Sequence, residues 1–254
     1  VKGGKLAKIF QPAKIVSLLI SDVIDNDESV IGSGPLFVEN TNQKEPFHIL
    51  KKFNLQNKIP KSILNHFKND KTINDHEYDS FDIDSYIIAD NKTAINEIAN
   101  SIENSNSSLE INFGLSGEAS VVARKICNYI FSGNWRLPRV FIYGGETTVT
   151  LNERNGRGGR NQEFICAYLD YLNENFDKTD FNWSAVSVGT DGIDYIKDSC
   201  GGIIDYESLL EVRKNNTNIK NYLDNHDSHN LLKKIGSNLK INGGTGTNVC
   251  DIVI

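Results

Sequence analysis

The sequence has 254 residues, of which 39% are hydrophobic and 24% are charged, and its net charge is −6. This length and composition are typical of a folded chain with one large domain or two modest domains. The negative charge argues against nonspecific binding to nucleic acid, which requires a basic surface. We therefore expect no nucleic-acid partner, and any anion site must be local.

The four cysteines, Cys127, Cys166, Cys200 and Cys250, lie far apart and form no CxxC pair. This spacing favours reduced thiols over a disulfide framework or a zinc site. No apolar run reaches the roughly 18 to 20 residues that a membrane-spanning helix needs, and no charged and then apolar leader follows Val1. We therefore expect a cytoplasmic protein with no membrane partner.

The first predicted strand covers residues 14–20, a continuous apolar segment that favours a buried strand of a parallel sheet. Asp22 follows it directly, at the carboxyl end of the strand, where open α/β sheets bind ligands. The alternative is that Asp22 is a turn or cap residue, which is a frequent role for aspartate. Ser33-Gly34-Pro35 closes the loop after Asp22.

Residues 39–84 form a polar region that we interpret as a connecting or cap segment with short helices near 47–53 and 61–68. An acidic and histidine-bearing stretch lies within it, at Asp75, His76, Glu77 and Asp79. These residue types suit a metal ion, but their spacing does not place them on one helix face. A solvated loop is therefore the favoured interpretation.

Strands and helices then alternate as far as residue 143. The patterns predict strands at 86–89, 109–115 and 139–143, with helices at 94–102 and 117–131 between them. This order predicts a layered α/β fold with a largely parallel sheet, right-handed crossovers and helices on both faces.

A glycine-rich loop carries three arginines, Arg154, Arg157 and Arg160. It follows the strand at 139–143 and precedes a helix predicted to begin near Asn161. Gly158 and Gly159 allow close approach of the backbone to a ligand, and the helix N-terminus offers free N–H groups. Arginines add permanent charge and paired donors. The motif therefore indicates an anion site. The alternative is a surface loop with solvated arginines, because the spacing matches neither GxGxxG nor GxxxxGK[ST].

Further strands are predicted at 183–188, 201–204, 239–242 and 249–254, with helices near 209–212 and 231–235. Before the last helix stands the run Asn225-His226-Asp227-Ser228-His229. Its two histidines suit a metal ion, but capping of the helix by Asp227 or Ser228 is the favoured interpretation.

Three polar turns, at 144–148, 189–194 and 243–248, begin where apolar strands end, and they converge if those strands are neighbours in one sheet. Asp191 and Asp194, three positions apart, are candidate Mg²⁺ ligands. The hydroxyl and amide groups of the turns suit a phosphate or a hydroxylated substrate, and they belong to Thr147, Thr190, Thr245, Thr247 and Asn248.

Five motifs resemble, in the same order, those of the glycerate 2-kinases of the MOFRL family. They are KGGKLA at 2–7, SDV at 21–23 with SGP at 33–35, GGETTV at 144–149 with GRGGRNQEF at 156–164, GTDGID at 189–194, and TGTNVCD at 245–251. The sequence departs from the family at Asp25, Asn26, Tyr143, Gly244 and Cys250.

The resemblance implies a Rossmann-like first part with a connecting region at 1–80 and a MOFRL-type domain at 81–254, with its motif-bearing core at 138–254. It also implies that the family's N-terminal portion is absent from this sequence. The family reaction is phosphoryl transfer from ATP to the 2-hydroxyl of D-glycerate, giving 2-phosphoglycerate, with Mg²⁺ as the expected metal.

Phosphoryl transfer requires positioning and charge neutralisation rather than covalent work by the protein. Arg160, with Arg157 as second choice, is therefore assigned to the substrate carboxylate or the transferring phosphoryl group. Asp191 is assigned to the metal or to proton acceptance, with Asp194 as second choice. Gly158, Gly159, Asn161, Asp22, Ser33 and the hydroxyl and amide residues of the three turns complete the predicted binding site. Glu146 and Glu163 are interpreted as structural.

Two other classes of function remain as alternatives. Relatives have been labelled hydroxypyruvate reductases, but no GxGxxG motif for a dinucleotide follows a strand here. A ligand-binding fragment without catalytic activity is the other alternative. The oligomeric state is left open, with a homodimer among the options.

Overall fold

The structure, a computed structural model, describes residues 2–37, 45–69, 81–102, 106–153, 156–176 and 181–254. Arg154 and the stretch from Asp75 to Asp79 lie outside the described residues, so the predictions made for them are not addressed.

The helices and strands follow the predicted order, with two additional short helices. The helices are α1 (Lys5–Phe10), α2 (Glu45–Lys52), α3 (Lys61–Asn69), α4 (Asn91–Ile102), α5 (Ala119–Ser132), α6 (Arg160–Asn175), α7 (Tyr206–Lys214), α8 (Ile219–Asp224) and α9 (Ser228–Lys234). The strands are β1 (Ile15–Ile20), β2 (Ile83–Ala89), β3 (Ser108–Glu118), β4 (Arg139–Thr148), β5 (Ser184–Gly189), β6 (Gly201–Asp205), β7 (Asn238–Leu239) and β8 (Asp251–Val253). The two helices that the sequence patterns did not indicate are α1 and α8.

The chain forms two compact units. The first comprises Val1–Leu19 and Asn26–Ile87, and the second comprises Ile20–Asp25 and Ile88–Ile254. The predicted domain boundary at residue 80 falls at the end of a segment that the structure does not describe, and it stays a prediction.

Strands β1 and β2 form a two-stranded sheet. The backbone N–H of Ile15 donates to Asp82 and that of Ser21 donates to Ala89, so the two strands run in the same direction. The strand predicted at 14–20 is therefore parallel, but it is not buried. Its alternate side chains Val16 and Leu18 are 59% and 63% exposed, because one face of the strand is turned to solvent.

The second unit contains a six-stranded sheet in the order β3-β4-β8-β5-β6-β7. Strands β3 and β4 are parallel, whereas β8 is antiparallel to both β4 and β5, and β6 is antiparallel to both β5 and β7. The layered α/β class is confirmed, but this sheet is mixed rather than largely parallel. The reason is that the short strand β8 lies between β4 and β5. Strands that follow each other in an alternating α/β chain usually pair directly, and β4 and β5 do not.

Helices cover both faces of this sheet, as predicted. Alternate residues of β4 point to opposite faces. Ile142 joins a small cluster with Ile95 of α4 and Ile252 of β8, whereas Tyr143 joins a larger core on the other face. That core is built largely from α5 and α6. The sheet is therefore enclosed between α4 and the α5–α6 layer.

Helix α6 is the most enclosed helix of this layer, with Ile165, Leu169 and Leu172 fully buried. It contacts α5, β5, β6 and α9, so its N-terminal end is fixed at one edge of the sheet. Within the parts of the chain that are described, no helix combines the length and the apolar character needed to cross a membrane.

Candidate active site

Two of the three polar turns predicted to converge, at 189–194 and 243–248, meet at one edge of the six-stranded sheet. The third prediction is wrong, because residues 144–148 are not a turn but the last part of strand β4, where they pair with β3. Gly145 of β4 and Gly189 of β5 both stand opposite Asp251, the first residue of β8. Because β8 runs antiparallel to both neighbours, its beginning lies beside the ends of β4 and β5. The turn at 243–248 joins the same edge, since the Thr245 hydroxyl donates to the Thr190 carbonyl oxygen at 2.6 Å.

Arg160, the first residue of α6, reaches across this edge to two carboxylates. Its Nε lies 2.6 Å from Asp251 Oδ2 and its Nη2 lies 3.0 Å from Asp251 Oδ1, which is a bidentate pair. Its Nη1 lies 2.7 Å from Glu146 Oε1. These contacts use three of the five N–H donors of the guanidinium, and the other two have no partner among the described residues.

Burial of the pair is uneven. The Asp251 side chain is 1% exposed, whereas that of Arg160 is 36% exposed. Burial raises the pKa of Asp251, and the Arg160 guanidinium opposes that shift. The hydrogen bond that Arg160 donates to Asp251 in turn raises the pKa of Arg160. Arg160 is therefore a fixed positive charge, anchored on a buried carboxylate and open to solvent on its other side.

Asp194 caps the N-terminus of α6 from inside the protein. Its two carboxylate oxygens accept hydrogen bonds from the backbone N–H groups of Asn161 and Gln162, at 3.1 and 2.9 Å, and from both amide side chains. Gly159 is needed here because an added Cβ would lie 2.3 Å from the Asp194 carbonyl oxygen. The carboxylate is buried and fully used, so the predicted metal role of Asp194 is corrected to that of a helix cap.

The helix N-terminus therefore holds an internal carboxylate rather than an external anion. Asn161 is buried with it, since its Oδ1 accepts a hydrogen bond of 2.6 Å from Ser187 Oγ. Thr147 on β4 is buried as well. The predicted ligand contacts of Asn161 and Thr147 are therefore corrected, because neither side chain reaches the surface of this edge.

The glycine loop packs against the turn before α9. The Gly156 N–H donates to the Asn225 carbonyl at 2.9 Å, the Arg157 N–H donates to Asp227 Oδ1 at 2.9 Å, and an added Cβ at Gly158 would lie 2.0 Å from Ser228 Oγ. The glycines therefore allow the backbone of the loop to pack closely against residues 225–228. The sequence pattern had predicted that they allow a close approach to a ligand. The Arg157 side chain points outward and is 59% exposed, with Nη2 3.7 Å from Asp198 Oδ1.

Asp191 is the candidate carboxylate that stays accessible at the edge. Its Oδ1 accepts a hydrogen bond of 2.9 Å from the Ile193 N–H, which holds the turn. Its other oxygen has no hydrogen-bond partner among the described residues. The oxygen chemistry needed for a solvated Mg²⁺ is therefore present at Asp191.

The remaining candidates are tied into the turns around this carboxylate. The Thr190 hydroxyl donates to the Cys250 carbonyl at 2.7 Å and accepts from the Val249 N–H at 2.8 Å. Exposed Asp22 accepts from Asn248 Nδ2 at 3.0 Å, so these two candidates meet. Thr247 is exposed, and its carbonyl accepts from Thr245.

Ser33 belongs to the first unit. Its Oγ accepts from Lys2 Nζ at 3.0 Å, and its carbonyl oxygen accepts from the Gly3 N–H at 3.2 Å. The motifs at 2–7 and 33–35 therefore contact each other.

His226, which precedes α9, and His229, which lies in its first turn, have different partners. His226 Nδ1 lies 3.2 Å from Glu163 Oε2, and burial raises the pKa of Glu163 while His226 opposes that shift. His229 Nδ1 lies 3.0 Å from Gln162 Oε1. Nowhere in the described chain do three metal-ligating side chains cluster. Asp227 stands at the N-cap position of α9, but its carboxylate accepts from the Arg157 N–H and from the side chain of Asn230 and not from a backbone N–H of the helix, so the predicted capping by its side chain is wrong.

Sequence reasoning missed Asp251 as a site residue. Its position was visible in the TGTNVCD motif, and an aspartate at the start of a fully apolar strand is itself a signal, because a buried carboxylate requires a cationic partner. The pairing with Arg160 needs the strand order, which no local pattern carries.

The comparisons with known proteins agree with this arrangement. Residues 139–251 match the model of the MOFRL family, and residues 1–68 match a domain of unknown function, DUF4147. The chain is 35% identical to a glycerate 2-kinase of Picrophilus torridus, with 100% of this chain and 56% of that protein covered. It is 32% identical to a glycerate 2-kinase of Pyrococcus horikoshii, with 100% and 58% covered.

A solved structure, that of a glycerate kinase from Thermotoga maritima, superposes with a TM-score of 0.82 at 29% identity, over 100% of this chain and 59% of that one. The chain thus spans less than two thirds of the length of these relatives. The matched regions run in the same order as the motifs that form the site. The chain is therefore similar to glycerate kinases over its whole length, and its MOFRL match lies in residues 139–251.

Proposed function

We propose that this protein acts as a glycerate 2-kinase, transferring the γ-phosphoryl group of ATP to the 2-hydroxyl of D-glycerate to give 2-phosphoglycerate. The observation that carries the proposal is the sheet edge where Arg160, anchored on Asp251, lies on the same side as the accessible carboxylate of Asp191. Relatives named glycerate 2-kinase support the same reaction.

Arg160 is the proposed catalytic cation. Asp251 and Glu146 hold its guanidinium in place before a ligand arrives, so little reorganisation is needed when charge develops in the reaction. Its two unused N–H donors suit a carboxylate or the equatorial oxygens of a phosphoryl group. Arg157, exposed at the rim of the loop, is the second proposed anion contact.

Asp191 is the proposed Mg²⁺ ligand. Mg²⁺ is bound in kinases through one or two carboxylates together with substrate phosphates and water, and an accessible aspartate at a turn fits that pattern. When bound, the ion neutralises charge on the phosphate oxygens of ATP. If Asp191 instead accepts the proton of the 2-hydroxyl, the metal must be held by another carboxylate, for which exposed Asp22 is the candidate.

The loop and turn residues have supporting roles in this proposal. Gly158 and Gly159 allow the loop that carries Arg157 and leads into Arg160 to pack against Ser228 and Asp194. Thr190 and Thr245 hold the turn that carries Asp191, and Thr247, Asn248 and Ser33 remain proposed polar contacts to the substrate. A cytoplasmic location is proposed as well, because the four cysteines are free.

The competing function is reduction of hydroxypyruvate, since two other relatives carry the name hydroxypyruvate reductase. A reductase requires a dinucleotide, and the loop at 156–160 lacks the GxGxxG pattern that brings a helix N-terminus to the pyrophosphate. In this chain that helix N-terminus is already filled by Asp194.

The experiment is a pair of assays on the purified protein. One follows formation of ADP with ATP, Mg²⁺ and D-glycerate, and ³¹P NMR identifies the phosphorylated hydroxyl. The other follows NADH oxidation with hydroxypyruvate. Formation of 2-phosphoglycerate supports the kinase, and NADH oxidation without ADP formation rejects it. Glycerate binding in calorimetry without either turnover identifies a binding module, and size-exclusion chromatography with light scattering tests for a homodimer.

A further inference from the structure

A fully buried histidine lies directly beneath the exposed arginine of the glycine loop. His229 is 1% exposed, and its backbone N–H donates to the carbonyl oxygen of Arg157 at 2.8 Å. Because the Arg157 N–H binds Asp227, residues at the start of α9 hold the backbone of Arg157 from both sides. The resemblance to the kinase family assigns no role to His229.

The hydrogen bonds around His229 determine which ring nitrogen carries the hydrogen. Gln162 Nε2 donates to Asp194 Oδ2 at 2.8 Å and to the Asp194 carbonyl oxygen at 3.2 Å, so the orientation of its amide is set. Its Oε1 therefore faces His229 Nδ1, at 3.0 Å. An amide oxygen accepts only, so Nδ1 must donate. It follows that Nε2 carries a hydrogen only when the ring is protonated.

The second ring nitrogen faces a carboxylate that Arg157 also uses. His229 Nε2 lies 3.5 Å from Asp198 Oδ2, and Arg157 Nη2 lies 3.7 Å from Asp198 Oδ1. Nε2 is buried and has no hydrogen-bond partner in the described chain. A neutral ring would point a lone pair toward Asp198, whereas a protonated ring places a positive charge 3.5 Å from its carboxylate. Asp198 is thus shared between one exposed cation and one buried titratable group.

We propose that His229 is a positioning residue that controls, through Asp198, how readily Arg157 binds an anionic ligand. With the ring protonated, the positive charge of His229 compensates the carboxylate of Asp198 from its buried side, and Arg157 is free to turn to the ligand. With the ring neutral, Arg157 is the one cation among the described residues that pairs with Asp198, and it is then held back. This inference rests on the anion role of Arg157 in the proposed function, and it adds regulation of that site by pH.

Other titratable or charged groups lie on the elements that pack around His229. They are Glu163 and Cys166 on α6, Asp194 and Asp198 in the turn after β5, Arg157 in the loop, and His226 and Asp227 before α9. Asp194 is occupied by the α6 N-terminus, Glu163 by His226, and Asp227 by the Arg157 N–H and Asn230, so Asp198 is the carboxylate left to respond to the ring. As pH rises and the ring loses its Nε2 proton, anion binding should weaken.

The test uses sulfate as a probe, because its charge is constant between pH 6 and pH 8, and measures its affinity for the intact protein by calorimetry. We expect affinity to fall about threefold over this range, since the ion pair is half exposed. His229→Asn keeps a donor toward Gln162 but cannot reach Asp198, and it should show the weaker affinity at both pH values. Asp198→Asn should bind tightly at both. The double variant should also bind tightly, because the competing charge is gone.

His226→Asn is the matched control, since His226 faces Glu163, and it should keep the pH dependence of the parent. The proposal would be overturned if the two substitutions had additive effects on sulfate affinity in the double variant. It would also be overturned if His226→Asn lost the pH dependence of that affinity. NMR titration of the His229 ring tests this proposal separately from the proposed kinase function. If sulfate does not bind at all, Arg157 is not an anion site, whereas a His229 titration midpoint that is unchanged in Asp198→Asn shows that the two side chains are not coupled.

Discussion

Replacement of Arg160 by methionine tests whether the edge of the sheet depends on its buried ion pair. Methionine keeps the unbranched stem of the side chain but leaves Asp251, which is 1% exposed, without its bidentate partner. Breaking a buried pair in this way costs about 3 to 5 kcal/mol. Arg160 is itself 36% exposed, so water partly compensates the carboxylate, and we expect a loss of about 2 to 3 kcal/mol in the free energy of unfolding.

For a chain of this size the loss corresponds to a Tm that is about 5 to 10 °C lower, measured by calorimetry or circular dichroism. The loss should also depend on pH. Burial holds the pKa of Asp251 above its ordinary value, so its ionisation costs folding free energy as pH rises through the folded-state pKa. Without Arg160 this cost grows. The difference in stability between variant and parent should therefore be largest near pH 7 and should narrow toward pH 4.

Arg157→Met is the matched control, because Arg157 is 59% exposed and its ion pair is long, at 3.7 Å. Its effect on Tm should be below about 2 °C. Equal Tm values for the two variants, or a difference for Arg160→Met that does not change with pH, would refute the anchoring of Arg160 on Asp251.

Three further variants address the site residues. Asp194→Asn places an amide against the donors at the start of α6, so it should destabilise the fold by about 2 to 4 kcal/mol in urea unfolding, and added Mg²⁺ should not recover it. Gly159→Ala forces a methyl group against Asp194, and we expect lower kcat with a displaced loop, checked by a crystal structure of the variant. Asp191→Asn should lower kcat, and recovery at high Mg²⁺ identifies a metal ligand, whereas a loss of about 10² to 10⁴ that metal leaves unchanged identifies the proton acceptor. Normal turnover by Asp191→Asn at low Mg²⁺ would exclude both roles.

Much of the fold follows from patterns in the sequence. Apolar spacing located α4, α5 and α6 and most strands, because these elements bury a continuous face. The mixed sheet could not be predicted in the same way. Strand β8 has three residues and lies between β4 and β5, and periodicity within a strand says nothing about which strand pairs with it.

The site shows the same division. The gathering of polar turns was predicted from strand ends, and Gly145, Gly189 and Asp251 do meet at one edge of the sheet, but Gly145 lies within β4 and not in the predicted turn. The partners of individual side chains were not predicted, because Asp194 and Asp191 occupy equivalent positions in a sequence pattern but only Asp194 is turned inward to α6. A glycine also looks the same in sequence whether a ligand or Ser228 approaches it.

The position of β8 has a consequence for how the chain folds. Strands β4 and β5 point the same way and are joined only through β8, which comes after both in the chain. Until residues 251–253 are in place, the edges of β4 and β5 that face each other lack their backbone partners, and Arg160 lacks Asp251. The two halves of the sheet are therefore expected to assemble late, through contacts of large sequence separation, and partly folded chains would expose unpaired strand edges. The same three residues close the sheet and anchor the proposed catalytic arginine, so the site cannot form before the fold is complete.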